Sequence, residues 1–206
     1  MSEGINDPDR SELVILDAGP VLNFLARKET ADLYLETLQG MADKICVPDA
    51  VVDEIENKSK KDKRFSACRT KLQTILIGNH MVSLQSPPLH QDADFDFHWS
   101  WVRNNCSKAS LASGKDRGEM VLVAHARVLQ AQGLDVVAMI DDQGAVNLAH
   151  KAGIPTFSTV DLFVQSIILG VIVDRPQLKR LYGLVEEMDD GLLPFKQTLL
   201  NREFRK

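Results

Sequence analysis

The chain has 206 residues, 44% of them hydrophobic, which is typical of a globular protein with one domain and an appendage or with two small lobes. No apolar run approaches the roughly 20 residues of a membrane span, so we expect no membrane association. The formal net charge of −5 argues against binding of nucleic acid through overall charge.

The N-terminus and the cysteines predict a cytoplasmic protein. Residues 1–12 are polar and lack an apolar signal core, so we expect a flexible N-terminus and no secretion. The three cysteines, Cys46, Cys68 and Cys106, are widely spaced and form no CxxC motif. We therefore expect reduced thiols rather than a disulfide framework or a zinc site.

Apolar runs and helical periodicity alternate along the chain as in α/β proteins. Strands are predicted at 13–16, 45–47, 81–84, 136–140 and 155–157. Helices are predicted at 19–27, 29–41, 49–58, 69–77, 94–104, 116–132, 143–152, 160–169, 175–188 and 193–203. The alternation predicts a three-layer α/β/α fold with a mostly parallel central sheet covered on both faces.

The same elements suggest a division of the chain. Residues 13–173 form the predicted main domain, with residues 85–114 as an insertion or loop region, and residues 174–206 form a helical extension packed on that domain. Within the insertion, residues 107–114 are small and polar, which indicates a loop. This loop is either a substrate lid or an ordinary linker.

Acidic residues are expected to meet at one edge of the sheet. Asp17 follows the first predicted strand, Asp141 and Asp142 follow the fourth, and Glu119 lies in the first turn of its helix. Open α/β sheets bind ligands beyond these strand ends. Two carboxylates 4 Å apart repel by about 4 kcal/mol at an effective dielectric of 20, so converging acids need a cation or protons. Oxygen ligands suit Mg²⁺ or Mn²⁺.

Each acid also has a simpler interpretation. Asp17 and the Asp141-Asp142 pair are placed as helix caps would be, and Asp116 and Glu119 have the spacing of a capping box. Glu54, inside a predicted helix, resembles a surface glutamate. Taken singly, these structural interpretations are favoured, and only the combination favours a metal site.

Basic residues are concentrated in one segment. Five cations lie within seven residues: Lys58, Lys60, Lys61, Lys63 and Arg64. They form either a solvated surface or a patch that follows a phosphate backbone near the acids, where Lys115 and Arg117 can add charge.

Other chemistries lack their motifs. The chain contains no GxxxxGK[ST], GxGxxG, GxSxG or HExxH sequence. His125 and His150 lie on predicted helices and are interpreted as surface or packing residues.

Four segments, in order between about residues 13 and 200, resemble motifs of PIN domains. Residues 14–22 (Val-Ile-Leu-Asp-Ala-Gly-Pro-Val-Leu) are similar to the opening motif, and residues 47–55 resemble the P-x-x-V-x-x-E helix. Residues 118–126 resemble the helix that begins Gly-Glu, and residues 140–145 with 152–155 resemble the Asp-Asp strand and the helix after it.

This resemblance implies a PIN-like fold and a metal-dependent endoribonuclease, related to toxins of toxin–antitoxin pairs. The catalytic acids would be Asp17, Glu54, Glu119 and Asp142, and Asp141 would join Asp17, Glu119 and Asp142 around Mg²⁺ or Mn²⁺. Asp116 would add negative charge next to these ligands without binding the ion itself. The implied products of RNA hydrolysis carry a 3′-hydroxyl and a 5′-phosphate. An antitoxin or other protein partner is implied as well, and exposed helix faces would permit a homodimer.

Two alternatives remain. Ala18 replaces the small hydroxyl residue usual in the family, which suggests a PIN-like module that binds nucleic acid or protein without turnover. A phosphatase or receiver-like protein with Asp17 as nucleophile is the third hypothesis. It lacks the acid-relay motif after the first strand.

Overall fold

A computed structural model describes residues 11–106, 117–189 and 191–204. Most of the predicted flexible N-terminus and the predicted loop at 107–114 lie outside these residues. The sheet has five parallel strands: β1 (Ser11–Leu16), β2 (Ala42–Pro48), β3 (Val82–Leu84), β4 (Val136–Met139) and β5 (Thr156–Phe157). The predicted α/β class with a parallel sheet is confirmed.

Helices connect the strands and cover the sheet. In chain order they are α1 (Ala18–Leu25), α2 (Lys28–Met41), α3 (Asp49–Lys61), α4 (Cys68–Ile77), α5 (Ala93–Asn105), α6 (Arg117–Ala131), α7 (Gln143–Lys151), α8 (Thr159–Ile168) and α9 (Arg175–Glu186). Short 3₁₀ turns occupy Lys63–Phe65, Phe195–Gln197 and Leu199–Arg202.

The central strand β1 divides the core into two layers. Val14 and Leu16 pack with apolar residues of α1, α2, α3, α8 and α9. Leu13 and Ile15 pack on the opposite face with α5, α6 and α7. Because side chains alternate along a strand, an apolar run such as β1 is stable only when both sheet faces are covered. The three layers are therefore α/β/α.

The strand order places one particular crevice at the carboxyl edge of the sheet. The order is β3-β2-β1-β4-β5, so the chain builds outward on one side of β1 and then crosses to the other side. Leu16 pairs with Met139, so β1 and β4 end side by side. Ligands of open α/β sheets bind where the strand order reverses in this way. The carboxyl ends of β1 and β4 mark that point.

The extension is less helical than predicted. The helix expected at 193–203 is wrong, because two 3₁₀ turns occupy this stretch and Thr198 between them is extended. Pro194 has no N–H to donate, and the hydroxyl of Thr198 donates to the carbonyl of Phe195 at 2.8 Å. Leu178, Tyr182 and Leu200 still pack into the core layer that contains Val14.

The predicted helix at 94–104 is present as α5. Its buried residues are Phe95 and Val102, and Asp92 caps it by accepting a hydrogen bond from the backbone N–H of Phe95 at 2.9 Å. Phe97, by contrast, is exposed. The helix packs on α6 and helps to fix the start of α6, which carries Glu119.

Candidate functional site

Asp17 is a buried carboxyl at the end of the central strand. Its side chain is 7% exposed, and its backbone N–H donates to the carbonyl of Met139 at 3.2 Å, which holds the residue at the β1–β4 edge. It occupies the N-cap position of α1 but makes no capping hydrogen bond with its side chain. The helix-cap interpretation of Asp17 therefore lacks its defining contact.

The electrostatic surroundings of Asp17 disfavour a negative charge. Burial, reinforced by the charges of Glu54, Asp141 and Asp142, raises the pKa of Asp17 from 3.8 to about 7, while the N–H of Ala18 opposes this shift. Three neighbouring acids thus act on Asp17 at this edge. A bound cation would relieve the repulsion that the folded chain creates here.

Asp142 does cap its helix. Its Oδ1 accepts hydrogen bonds from the N–H groups of Gly144 at 2.7 Å and Ala145 at 3.0 Å, which satisfies two of the unpaired donors at the start of α7. Asp142 is exposed. The capping interpretation is correct for this residue, but it does not exclude ligation, because these bonds use only one of the two oxygens.

Asp141 is held by Thr159 at the start of α8. Oδ1 accepts from the N–H of Thr159 at 2.7 Å, and Oδ2 accepts from its hydroxyl at 2.6 Å. Burial raises the pKa of Asp141, the bonds from Thr159 oppose this, and the charges of Asp189 and Asp161 add to it. With both oxygens bonded to Thr159, Asp141 is well placed to fix the β4–α7 connection.

Glu54 and Glu119 reach the site from two packed helices. Glu54 lies on α3 and is exposed, whereas Glu119 is half-buried in the first turn of α6. A Cβ atom at Gly118 would lie 2.8 Å from Oε2 of Glu54. The absence of a side chain at Gly118 therefore permits the Glu54 carboxylate to lie against the start of α6.

All of these acids line one cavity of about 510 Å³. Its walls include five of the predicted acids, one unpredicted acid, and polar or apolar residues of four segments: Asp17, Gly19, Pro20, Glu54, Glu119, Asp141, Asp142, Gln143, Ser158, Val160, Asp189, Gly191, Leu192 and Leu193. We call it the acidic cavity. The structure therefore brings together the acids that the sequence places far apart.

Sequence reasoning missed Asp189. It lies just beyond α9, and its carboxylate accepts hydrogen bonds from Asn23 at 2.8 Å and from the N–H of Gly191 at 2.8 Å. The surrounding Asp-Asp-Gly sequence signals only a turn. Nothing in that local pattern indicates a contact with α1.

The acids are gathered but not already arranged around one point. Within residues 11–106, 117–189 and 191–204, no group of three or more His, Cys, Asp or Glu side chains is arranged so that it could hold a metal ion. The donor set itself fits a hard divalent cation, because it consists of carboxylate oxygens and one of them is buried with a raised pKa. Rotation of exposed side chains such as Asp142 and Glu54 would be needed for ligation.

The predicted basic residues that the structure describes lie in different parts of the surface. Lys58 and Arg64 line a second cavity of about 330 Å³, which shares Gly19, Glu54, Asp189 and Gly191 with the acidic cavity. We call it the basic pocket. Arg64 also pairs with Asp62 at 2.9 Å.

Among the described residues, the other predicted cations do not line this pocket. Lys60 pairs with Glu56 at 3.9 Å, and Lys61 and Lys63 are exposed. Arg117 lines a separate apolar cavity of about 280 Å³ with Phe95 and Trp99. Lys115 and Asp116, as well as the capping box predicted from Asp116, lie outside the described residues.

His125 is a packing residue, as expected, and it belongs to a polar cluster. Its Nε2 lies 3.1 Å from the hydroxyl of Ser86, which donates to Asp49 at 2.7 Å. Since Asp49 accepts the serine proton, the imidazole donates to the serine oxygen. Burial lowers the pKa of His125. The cluster connects α3, which carries Glu54, with α6, which carries Glu119.

The solved structures that this chain resembles include a weak likeness to a bacterial complex. A chain of the crystal structure of VapBC2 from Rickettsia felis, bound to a DNA fragment from their promoter, is 12% identical with a TM-score of 0.47. The match covers 71% of this chain and 98% of that chain. A likeness of this size does not indicate a shared activity.

Sequence comparison adds no family assignment. No protein-family model matches the sequence, and no curated protein matches it. Among the described residues, no helix combines the length and the apolar character needed to cross a membrane.

Proposed function

We propose that the protein is a divalent-metal-dependent endoribonuclease whose reaction site is the acidic cavity. The observation that carries this proposal is the position of Asp17, a carboxyl only 7% exposed that faces a cavity shared with Glu54, Glu119, Asp141 and Asp142. The resemblance of the four motifs to PIN domains supports the same reaction. Both arguments point to Mg²⁺ or Mn²⁺ as the cofactor.

Distinct roles follow from the surroundings of each acid. Asp17, Glu119 and Asp142 are the proposed ligands, because they come from three elements that meet at the β1–β4 edge. Glu54 lines the same cavity from α3 and can accept a proton or orient a water molecule. Asp141, with both oxygens bonded to Thr159, holds the loop that presents Asp142.

When bound, the cation would supply positive charge that polarises water and the phosphodiester. The protein would contribute the rest. Deep burial of Asp17 would strengthen its electrostatic interaction with a bound cation. Lys58 and Arg64 in the adjoining basic pocket can neutralise a neighbouring phosphate of the same strand.

The test is cleavage of a labelled single-stranded RNA by the purified protein with Mn²⁺ or with EDTA. We expect cleavage that requires Mn²⁺ and falls by roughly 100-fold or more in Asp17→Asn. Asp53→Asn is the matched control, because Asp53 is an exposed acid on α3 that does not line the cavity. Equal cleavage by wild type and Asp17→Asn would refute the assignment.

The second candidate function is a PIN-like module that binds nucleic acid or a protein without turnover. One observation favours it, namely that no three acids among the described residues already form a metal-binding arrangement. This alternative predicts RNA or protein binding that EDTA does not weaken, and no cleavage with Mn²⁺. A role as a toxin with an antitoxin partner belongs to the first proposal and requires the nuclease activity.

A further inference from the structure

The chain just beyond α9 forms one wall of the acidic cavity. Asp189, Gly191, Leu192 and Leu193 line it, and Met188, Asp189 and Gly191 also line the basic pocket. We call residues 187–189 and 191–193 the C-terminal strap. The strap therefore stands where the two cavities meet, and Asp189 contributes to both.

Three side chains fasten the strap to the main body of the protein. Arg27 forms an ion pair with Glu187 at 2.5 Å, and the Tyr182 hydroxyl donates to the carbonyl of Leu193 at 2.5 Å. Between these two contacts, the amide of Asn23 donates to Asp189 at 2.8 Å. Asp189 is therefore held by α1, the helix that directly follows Asp17.

The Asn23 amide bonds to a charged carboxylate, although a neutral acceptor would serve the same structural purpose. Asn23 is only 5% exposed, so its amide needs a partner, but a neutral acceptor would satisfy it equally well. A carboxylate instead adds negative charge to a cavity that already holds five acids. Lys58 and Arg64 line the basic pocket that shares Asp189, and a cation in the acidic cavity would offset the negative charge of the acids that line that cavity.

A second observation points to the same cation. Asp17 is more than nine-tenths buried, lines the same cavity and caps no helix through its side chain. Its carboxylate accepts a hydrogen bond from the N–H of Ala18, but helix capping does not account for its burial in this cavity. Asp17 and Asp189 approach the cavity from the two ends of the fold, the first strand and the last helix.

We propose that Asp189 is a positioning residue for the divalent cation, which the C-terminal strap brings to the acidic cavity. This inference rests on the proposed function. It adds an acid that the four PIN-like motifs do not include, held in place by Asn23. It also gives the strap a role, because cation affinity then depends on a segment far along the chain from those motifs.

The experiment measures Mn²⁺ binding by isothermal titration calorimetry and the melting temperature in EDTA, using the full-length protein. Asp189→Asn removes the charge and preserves the shape, since its oxygen can still accept from Gly191 and the Asn23 amide can turn to pair with it. Asp189→Glu keeps the charge. Glu186→Gln is the matched control, because Glu186 is a nearby acid that lines neither cavity.

We expect Asp189→Asn to bind Mn²⁺ roughly 10-fold more weakly than wild type. Its melting temperature in EDTA should be unchanged or higher, because a repulsive charge is lost. Asp189→Glu should recover part of the affinity, and Glu186→Gln should bind as wild type does.

Two results would overturn the inference while leaving the nuclease proposal intact. The first is wild-type Mn²⁺ affinity in Asp189→Asn. The second is a lower melting temperature in EDTA with unchanged affinity, which would show a structural role alone. If the wild-type protein binds no Mn²⁺ at all, both proposals fail together.

Discussion

Gly118 leaves room for the carboxylate of Glu54. A Cβ atom added at position 118 would lie 2.8 Å from Oε2 of Glu54, closer than two such atoms can pack. Gly118 is buried at the first turn of α6, one residue before Glu119. This approach couples the two glutamates of the candidate site, because the helix start that carries one also determines where the other can lie.

Gly118→Ala should disturb the candidate site without disturbing the fold. The obstructed atom is the end of a flexible side chain, so Glu54 can rotate away, and alanine is favoured over glycine in a helix by up to about 1 kcal/mol. We expect a melting temperature within a few degrees of wild type but reduced Mn²⁺-dependent RNA cleavage. Calorimetric unfolding and the cleavage assay measure the two effects. Normal cleavage by Gly118→Ala would mean that the position of Glu54 does not matter.

Asp17→Asn should stabilise the metal-free protein at high pH. The pKa of Asp17 is about 7 in the folded protein and 3.8 ordinarily, so the folded state binds this proton more tightly. The wild-type stability from this group is complete below about pH 4 and is lost as the pH rises through 7. Asparagine avoids that loss, which amounts to about 4 kcal/mol at pH 8.

Urea unfolding in EDTA at pH 5 and pH 8 measures this difference. The advantage of Asp17→Asn over wild type should be larger at pH 8, and saturating Mn²⁺ should reverse it if the ion binds only wild type. An advantage that is the same at both pH values would show that Asp17 does not titrate in this range.

Substitutions of Asp142 should distinguish its two roles. Asp142→Asn retains an oxygen that can cap α7, whereas Asp142→Ala removes both the cap and the charge. We expect Asp142→Ala to lower the free energy of unfolding by about 1 kcal/mol and Asp142→Asn to lower it much less. Both should lose Mn²⁺-dependent cleavage, measured in parallel with denaturant unfolding. Active Asp142→Asn would limit this residue to capping.

Lys58→Gln should weaken RNA binding more than Lys60→Gln. Both lysines lie on α3, but Lys58 lines the basic pocket beside the acids and Lys60 pairs with Glu56. We expect Lys58→Gln to reduce the slope of log affinity against log salt concentration by about one. Fluorescence anisotropy with a single-stranded RNA in EDTA measures it. Equal effects of the two substitutions would mean that the whole basic segment acts as a diffuse surface charge.

Local patterns in the sequence predict much of the fold and the position of the acids. The run Leu13–Leu16 is apolar at every position, as a strand buried on both faces must be, and the residue after it necessarily lies at the sheet edge. The same reasoning places Asp141 and Asp142, because β1 and β4 are neighbours.

The remaining parts depend on tertiary contacts that no local pattern contains. Asp189 reaches the cavity only because Asn23, Arg27 and Tyr182 hold the strap. The error at 193–203 has a different, local cause. The apolar spacing there resembles a helix, but Pro194 lacks an N–H and the Thr198 hydroxyl bonds to the carbonyl of Phe195, so two 3₁₀ turns form instead. Likewise, helical periodicity could not indicate that Arg117 faces an apolar cavity while Glu119 faces the acids.

The most direct test is an anomalous diffraction map from crystals of the wild-type protein soaked in Mn²⁺. The account predicts an anomalous peak in the acidic cavity, within ligating distance of the Asp17 carboxylate and absent from crystals of Asp17→Asn. A fully soaked crystal with no peak in that cavity, or with Mn²⁺ bound only elsewhere, would contradict it.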